Sequence, residues 1–546
     1  MVSIGCGSER AADLIVHNAR IYTSDAANAT ADAIAIRGDR IVRVGSNAEV
    51  LALQGDGTRR IDAEQRAIVP GFHDAHGHLT ELGASLQVVD LRGTSSYAEV
   101  IERVSRRLQA AAPGEWVLGR GWDQNDWADR QFPNHLALTA ASPNNPVYLT
   151  RIDGHAGLAN RQALTAAGVT RITLDPQGGR IVRDATGEPT GVLVDRAEDL
   201  VTAHIPPVST QQLEAQALLA DAAVTRLGLT MVGDAGSGAA AVDAYKRLID
   251  AGRLKTRLYV MRSGSLDELR PFFDAGPIAD YGNHRLAIRA IKIVADGALG
   301  SRGAALLEPY ADDPGTMGLL TTPPEQVYAL TVAASRAGFQ TAIHAIGDRA
   351  NRVAMDVFER VQREVPGARD LRHRIEHAQI LDAAEIPRFA RLGIIASMQP
   401  THATSDMPWV PARIGSARMD EGAYVWRKLR SAGARIAAGS DFPVEEPNPL
   451  LGFYAAITRQ DPSGNPPGGW MPAERMSRIE ALRAFTIDAA YAAHAETWLG
   501  SLEAGKLADL VMLDRDIMRV AAQEIPQTTV RLTVVGGEVV YDANVR

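Results

Sequence analysis

Eight short apolar runs constrain this chain more than any other feature: "AIVPGFHD", "GLTMVGDAG", "RLYVMRSG", "LAIRAIKIVADG", "GFQTAIHAIGD", "LRHRIEHAQ", "LGIIASMQP" and "ARIAAGSDFP". All but the first follow a helix-like segment. Near-continuous apolar strands are expected where helices cover both faces of a parallel sheet. Eight strand–helix units predict an α/β protein built on a (β/α)8 TIM barrel, a fold that takes roughly 250 residues. The chain has 546, so there is length for more.

The surplus falls in two places. The first two runs lie about 155 residues apart, and roughly 120 of these exceed one strand–helix unit. That predicts an insertion after the first strand, at about 88–208, capping the barrel mouth. The ends of the chain alternate apolar and polar residues, as in "AIAIRGDRIVRVG" and "VRLTVVGGEVVYD". Turn signals at Gly38-Asp39 and Gly536-Gly537 make these antiparallel hairpins. Residues 12–67 and 500–546 are expected to form one small β-sandwich, and 68–499 the barrel.

Composition removes several function classes. The net charge is −8 and no basic patch stands out, which argues against nucleic acid. No apolar run approaches the roughly 20 residues of a membrane span. The one cysteine, Cys6, excludes an intrachain disulfide. In "VSIGCGSE" it resembles the end of a bacterial lipoprotein signal, which would make the protein exported. The other reading is a cytoplasmic protein with an incidental cysteine.

Polar residues close the apolar runs where barrel active sites are built. "FHDAHGHL" holds His76 and His78, two apart and so on one face of a strand. His344 ends "TAIH", His377 ends "RIEH", and Asp441 ends "AAGSD". The intervals His344–His377 and His377–Asp441 are 33 and 64 residues, one and two barrel units of about 31. These side chains fall at the ends of strands one, five, six and eight. Histidines and a carboxylate converging there predict a metal centre. Lys292 sits in strand four, between Ile291 and Ile293. A free ammonium there is costly, and burial favours the neutral amine.

The motifs "VPGFHDAHGH" and "GSDFPV", with the strand-end histidines, resemble the amidohydrolase superfamily. "GRGWDQND", "DGHAGLAN", "IKIVADGALGSRGAAL", "HAIGDRA" and "RIEHAQ" resemble its YtcJ-like branch, which includes N-substituted formamide deformylases and AepA-type proteins. The likeness runs from about residue 12 to 543. It implies two zinc or similar divalent ions, one held by His76, His78 and Asp441 and the other by His344 and His377. A carbamate formed from CO2 on Lys292 would bridge them. The alternative is an unmodified Lys292 paired to an acid such as Asp296, beside a single metal.

The resemblance further implies hydrolysis of a C–N amide-type bond in a small molecule, an N-acyl or N-formyl amine. A metal-activated hydroxide would attack, with Asp441 as general base and then acid. A deaminase, a cyclic-amide or ester hydrolase, and a non-catalytic regulatory protein are the alternatives. A homodimer is the weakest of its implications. His155 is expected to contact substrate or donate to the oxyanion. Trp122 and Trp127 are read as pocket walls or core, Met398 as pocket lining or core, and Asp296 and Arg302 as substrate contacts or a mutual pair. Asp74 is expected to hydrogen-bond a ligand histidine, and Asp348 to support the ligands from behind. Glu376, beside His377, is expected to face away.

Overall fold

The computed structural model describes residues 10–27 and 29–545, so Cys6 lies outside the described residues. Eight parallel strands follow one another around a nearly closed barrel. They are β1 (Phe72–Gly77), β2 (Leu229–Ser237), β3 (Arg257–Arg262), β4 (Leu286–Val294), β5 (Gln340–Ala345), β6 (Arg374–His377), β7 (Ile395–Met398) and β8 (Arg435–Ala438). Each coincides with one of the eight apolar runs.

Each strand pairs in parallel with the next, from β1 with β2 to β7 with β8, with register shifts in the first three pairs. The remaining seam, β8 to β1, is joined just beyond the strand ends. Asp441 N–H donates to His76 O at 2.7 Å, and His78 N–H to Phe442 O at 2.8 Å. Asp74 completes the joint. Its carboxylate accepts Ser440 Oγ at 2.6 Å, the Ser440 amide at 3.1 Å and the His76 amide at 3.1 Å. Asp74 therefore supports the backbone of His76 and not a ligand ring, because its side chain is taken up in closing the barrel.

Connecting helices cover the outer face. Ser209 caps helix Thr210–Arg226 in a reciprocal box with Gln212, satisfying amides that the first turn leaves free. Helix Asp348–Glu364 buries Ala350, Ala354, Phe358 and Val361, a stripe of three- and four-residue steps on one face.

The chain ends meet in two further sheets. One is ordered Arg40–Gly45, Ala33–Arg37, Leu14–His17, Arg59–Asp62; the other runs from Glu538–Asp542 through Val530–Val535, Leu510–Leu513 and Ala67–Pro70 to Arg20–Tyr22 and Thr30–Ala31. Leu14, Val16, Ile34 and Ile36 share a buried cluster with Leu510, Met512, Leu532 and Val534. The turn between the last two strands has Gly536 and Gly537 at φ of 57° and 77°, left-handed values that a two-residue hairpin needs at both positions.

Between β1 and β2 lies a six-stranded sheet, from Gly179–Arg183 across to Val89–Asp90. Among the described residues, no helix is long and apolar enough to cross a membrane.

Candidate metal centre

His76, His78, Lys292, His344, His377 and Asp441 converge at the C-terminal ends of the barrel strands and line one cavity of about 820 Å³. His76 is the fifth residue of β1 and is fully buried; His78 follows at the head of helix Leu79–Ser85. His344 is the fifth residue of β5 and His377 the last of β6. Asp441 lies three residues past β8.

Their donor atoms are close. His78 Nε2 is 3.0 Å from Asp441 Oδ1, and His76 Nε2 is 3.5 Å from the same oxygen. The His344 and His377 rings are 4.6 Å apart, and those of His76 and His377 4.9 Å. Lys292 Nζ is 3.0 Å from His76 Nε2.

Backbone geometry contributes. His377 and Asp441 have φ of 74° and 60°. Residues other than glycine adopt this left-handed region at a cost, and such strain collects at functional sites.

Partners behind the rings fix their orientation. His76 Nδ1 is hydrogen-bonded to Glu376 Oε2, and Glu376 is held by Arg374, whose Nη2 donates to the same carboxylate at 2.9 Å. Arg374 also donates to Ala75 O and Ser397 Oγ. His377 Nδ1 donates to Gln399 Oε1 at 2.8 Å. With Nδ1 spent in this way, Nε2 of each ring presents its lone pair to the cavity.

Glu376 thus faces inward, against expectation. Alternation carries it to the same side as the inward Arg374. The positive φ of His377 breaks the alternation and lets the next ring face the cavity as well.

Burial sets the charge states. It pushes the Lys292 ammonium down and holds His344 and His377 well below the ordinary imidazole range. Burial drives the Glu376 and Asp441 carboxyls upward, but the hydrogen-bond donors and charge beside them outweigh it. Arg374 and His76 hold Glu376 low, and the histidines around Asp441 hold it low.

These residues fit a divalent ion. His344 Nε2 is buried without a hydrogen-bond partner, and an orphaned imidazole nitrogen is costly unless something binds it. His76, His78 and Asp441 bring their donor atoms within 4.8 Å of one another. So do His377, His402 and Asp441. His402, on helix Pro400–Asp406 after β7, was not read from the sequence.

Lys292 forms no ion pair among the described residues. Asp296 is taken up instead by the amides of Ala305, Ile346 and Gly347, at 2.8–3.0 Å.

His155 lines the same cavity from the insertion, its ring 5.1 Å from that of His344. Its Nδ1 donates to Asp195 Oδ1 at 2.7 Å. Burial opposes charge on this ring, but the Asp195 hydrogen bond outweighs it and the pKa is raised to about 9. The Asp195 carboxylate rests on the loop "ADGALGSRG", where a Cβ on Gly297 or Gly303 would come within 2.6 Å of it. The glycines of that loop make room for the insertion.

The other expected substrate contacts lie elsewhere. The Trp122 indole donates to Leu149 O at 2.7 Å and, with Trp127, fills the core of the inserted sheet. Met398 packs in the barrel core. Arg302 pairs with Asp312 and not with Asp296. Asp348 accepts the amides of Leu307 and Arg349, so it ties the start of its helix to the loop after β4 and supports no ligand.

Residues 59–541 match the amidohydrolase family. The chain belongs to that family. This amidohydrolase is 38% identical to the protein LONG AFTER FAR-RED 3 of Arabidopsis thaliana, over 97% of this chain and 92% of that one. It is 32% identical to the putative amidohydrolase YtcJ of Bacillus subtilis, over 97% and 99% of the two chains. It is 31% identical to the N-substituted formamide deformylase of Arthrobacter pascens, over 97% and 98%. Among solved structures, a metal-dependent hydrolase from Pyrococcus horikoshii matches with a TM-score of 0.75 and 28% identity, covering 93% of this chain and 99% of that one. Within the family the chain falls in the YtcJ-like branch.

Proposed function

We propose that this amidohydrolase hydrolyses an N-acyl or N-formyl amine to the free amine and the carboxylic acid. The observation that carries this reading is the meeting of four histidines, Asp441 and Lys292 in one cavity at the strand ends. The relationship to a formamide deformylase supports the choice of bond.

His76, His78 and Asp441 would hold one zinc-like ion, and His344 and His377 a second. Lys292, whose ammonium burial disfavours, would bridge them as its CO2-derived carbamate. Bound there, such ions supply a Lewis acid that polarises a carbonyl and acidifies water.

The protein's own groups do the rest. Asp441, ionised at neutral pH, takes the proton of the attacking water and delivers it to the leaving nitrogen. His155, kept cationic by Asp195, donates to the oxygen that gains charge. Glu376 and Gln399 hold two ligand rings in one tautomer. The insertion, at 88–208, contributes Arg120 and His155 to the cavity wall.

A screen of formamides, N-acyl amines and nucleobases, read by release of amine or ammonia with and without chelator, tests this reading. Chelator-sensitive amine release from an amide is expected. Ammonia from nucleobases, with no amide cleaved, would assign a deaminase instead.

A further inference from the structure

His402 enters the cavity from helix Pro400–Asp406. The residue is 9% exposed, and its Nε2 is buried without a hydrogen-bond partner. Its ring lies parallel to that of His377, 5.8 Å away at 17°. Nε2 stands 3.7 Å from Asp441 Oδ2. The other carboxylate oxygen, Oδ1, is turned to His76 and His78. The two oxygens of Asp441 therefore face different neighbours, and Oδ2 is the one shared with His402.

In the tautomer that carries its proton on Nδ1, His402 offers Nε2 as an acceptor, and two acceptor atoms 3.7 Å apart can both reach a single nitrogen at the ordinary hydrogen-bond length of about 2.9 Å. We propose that His402 binds the amide N–H of the substrate, so that this enzyme selects N-monosubstituted amides over N,N-disubstituted ones. The inference rests on the amide-hydrolase reading above and narrows its substrate class. The substrate N–H donates to His402 Nε2, and the same nitrogen then lies within reach of Asp441 Oδ2. As the C–O bond to the attacking water forms and the C–N bond breaks, the electron pair of that bond goes to nitrogen. The proton that Asp441 took from the water joins the pair, and the amine leaves with its original N–H still on His402.

A tertiary amide has no N–H to offer, and leaves a buried acceptor unpaired. Loss of such a hydrogen bond corresponds to roughly a 10- to 100-fold fall in kcat/KM. The test pairs an N-alkylformamide with its N-methyl derivative, using zinc-loaded wild type, His402→Ala and His402→Gln.

Wild type is expected to prefer the secondary amide by about 10- to 100-fold. His402→Ala should shrink that preference toward one with bound zinc unchanged. His402→Gln, which keeps an acceptor at similar reach, should restore part of it. Equal use of both amides by wild type would overturn the proposal, as would an unchanged preference in His402→Ala. Loss of an ion in His402→Ala would overturn it too, by making His402 a metal ligand. In those cases amide cleavage by wild type still stands. A wild type that cleaves neither amide removes the underlying reading and the inference with it.

Discussion

Glu376 on β6 is hydrogen-bonded to Nδ1 of His76 on β1, across the barrel interior. Arg374 grips the same carboxylate and reaches on to Ala75 O and Ser397 Oγ. One chain of charged groups thus joins β1, β6 and β7 beneath the ligands and leaves Nε2 of His76 facing the cavity.

Glu376→Gln should lower affinity for the bound metal by about 10- to 100-fold, the usual effect of losing a group that orients a ligand histidine. It also leaves Arg374 buried beside a neutral amide, a loss of about 3–5 kcal/mol in unfolding free energy. Competition with a chelator reads the first, and urea unfolding of the metal-free protein reads the second. Unchanged affinity would mean that Glu376 orients nothing.

A second prediction concerns acid stability. His373 is buried, with its ring stacked on Phe358 at 5.0 Å. Its Nδ1 accepts the Thr341 amide at 2.9 Å, so a second proton has no place to go. Burial, with a smaller push from His494, lowers its pKa to about 3. The unfolded chain takes up that proton near pH 6.5 and the folded one does not. Stability from this group is therefore complete above pH 6.5 and is lost as pH falls toward 3, at about 1.4 kcal/mol per pH unit. Urea unfolding at pH 7 and pH 5 should show a difference about 2 kcal/mol larger in wild type than in His373→Gln. Identical pH dependence in the two proteins would contradict this.

His155 should set the alkaline limit of activity. Its pKa is raised to about 9, with Asp195 overcoming the effect of burial, and it donates only while protonated. The falling limb of kcat/KM against pH reports that group in the free enzyme and should lie near 9. Asp195→Asn should move the limb toward the ordinary imidazole range and lower kcat about 100- to 1000-fold, as expected for a weakened oxyanion donor. A limb that stays in place would detach Asp195 from His155.

The barrel was legible because each strand is an apolar run ended by a polar residue. His76, His344, His377 and Asp441 are those endings, and their spacing follows the strand–helix unit. Glu376 was misread because alternation holds only for extended backbone, and His377 has a φ of 74°. Asp195 and Gln399 could not be placed, since each matters only through a histidine 40 or 22 residues away. Trp122 stays between pocket wall and core in the sequence because an apolar ring suits both equally, and only the inserted sheet decides between them. His402 left a faint signal: "SMQPTHATSD" adds a polar residue one turn beyond the end of β7. A helix turn lacks the strand-end position that marked the other histidines.

The most direct test of the central claim is the metal content of the purified chain after loading with zinc in bicarbonate buffer. Wild type is expected to hold about two ions per chain, as in other two-metal hydrolytic sites, and Lys292→Ala about one fewer. A wild type that retains no zinc after loading would contradict the claim.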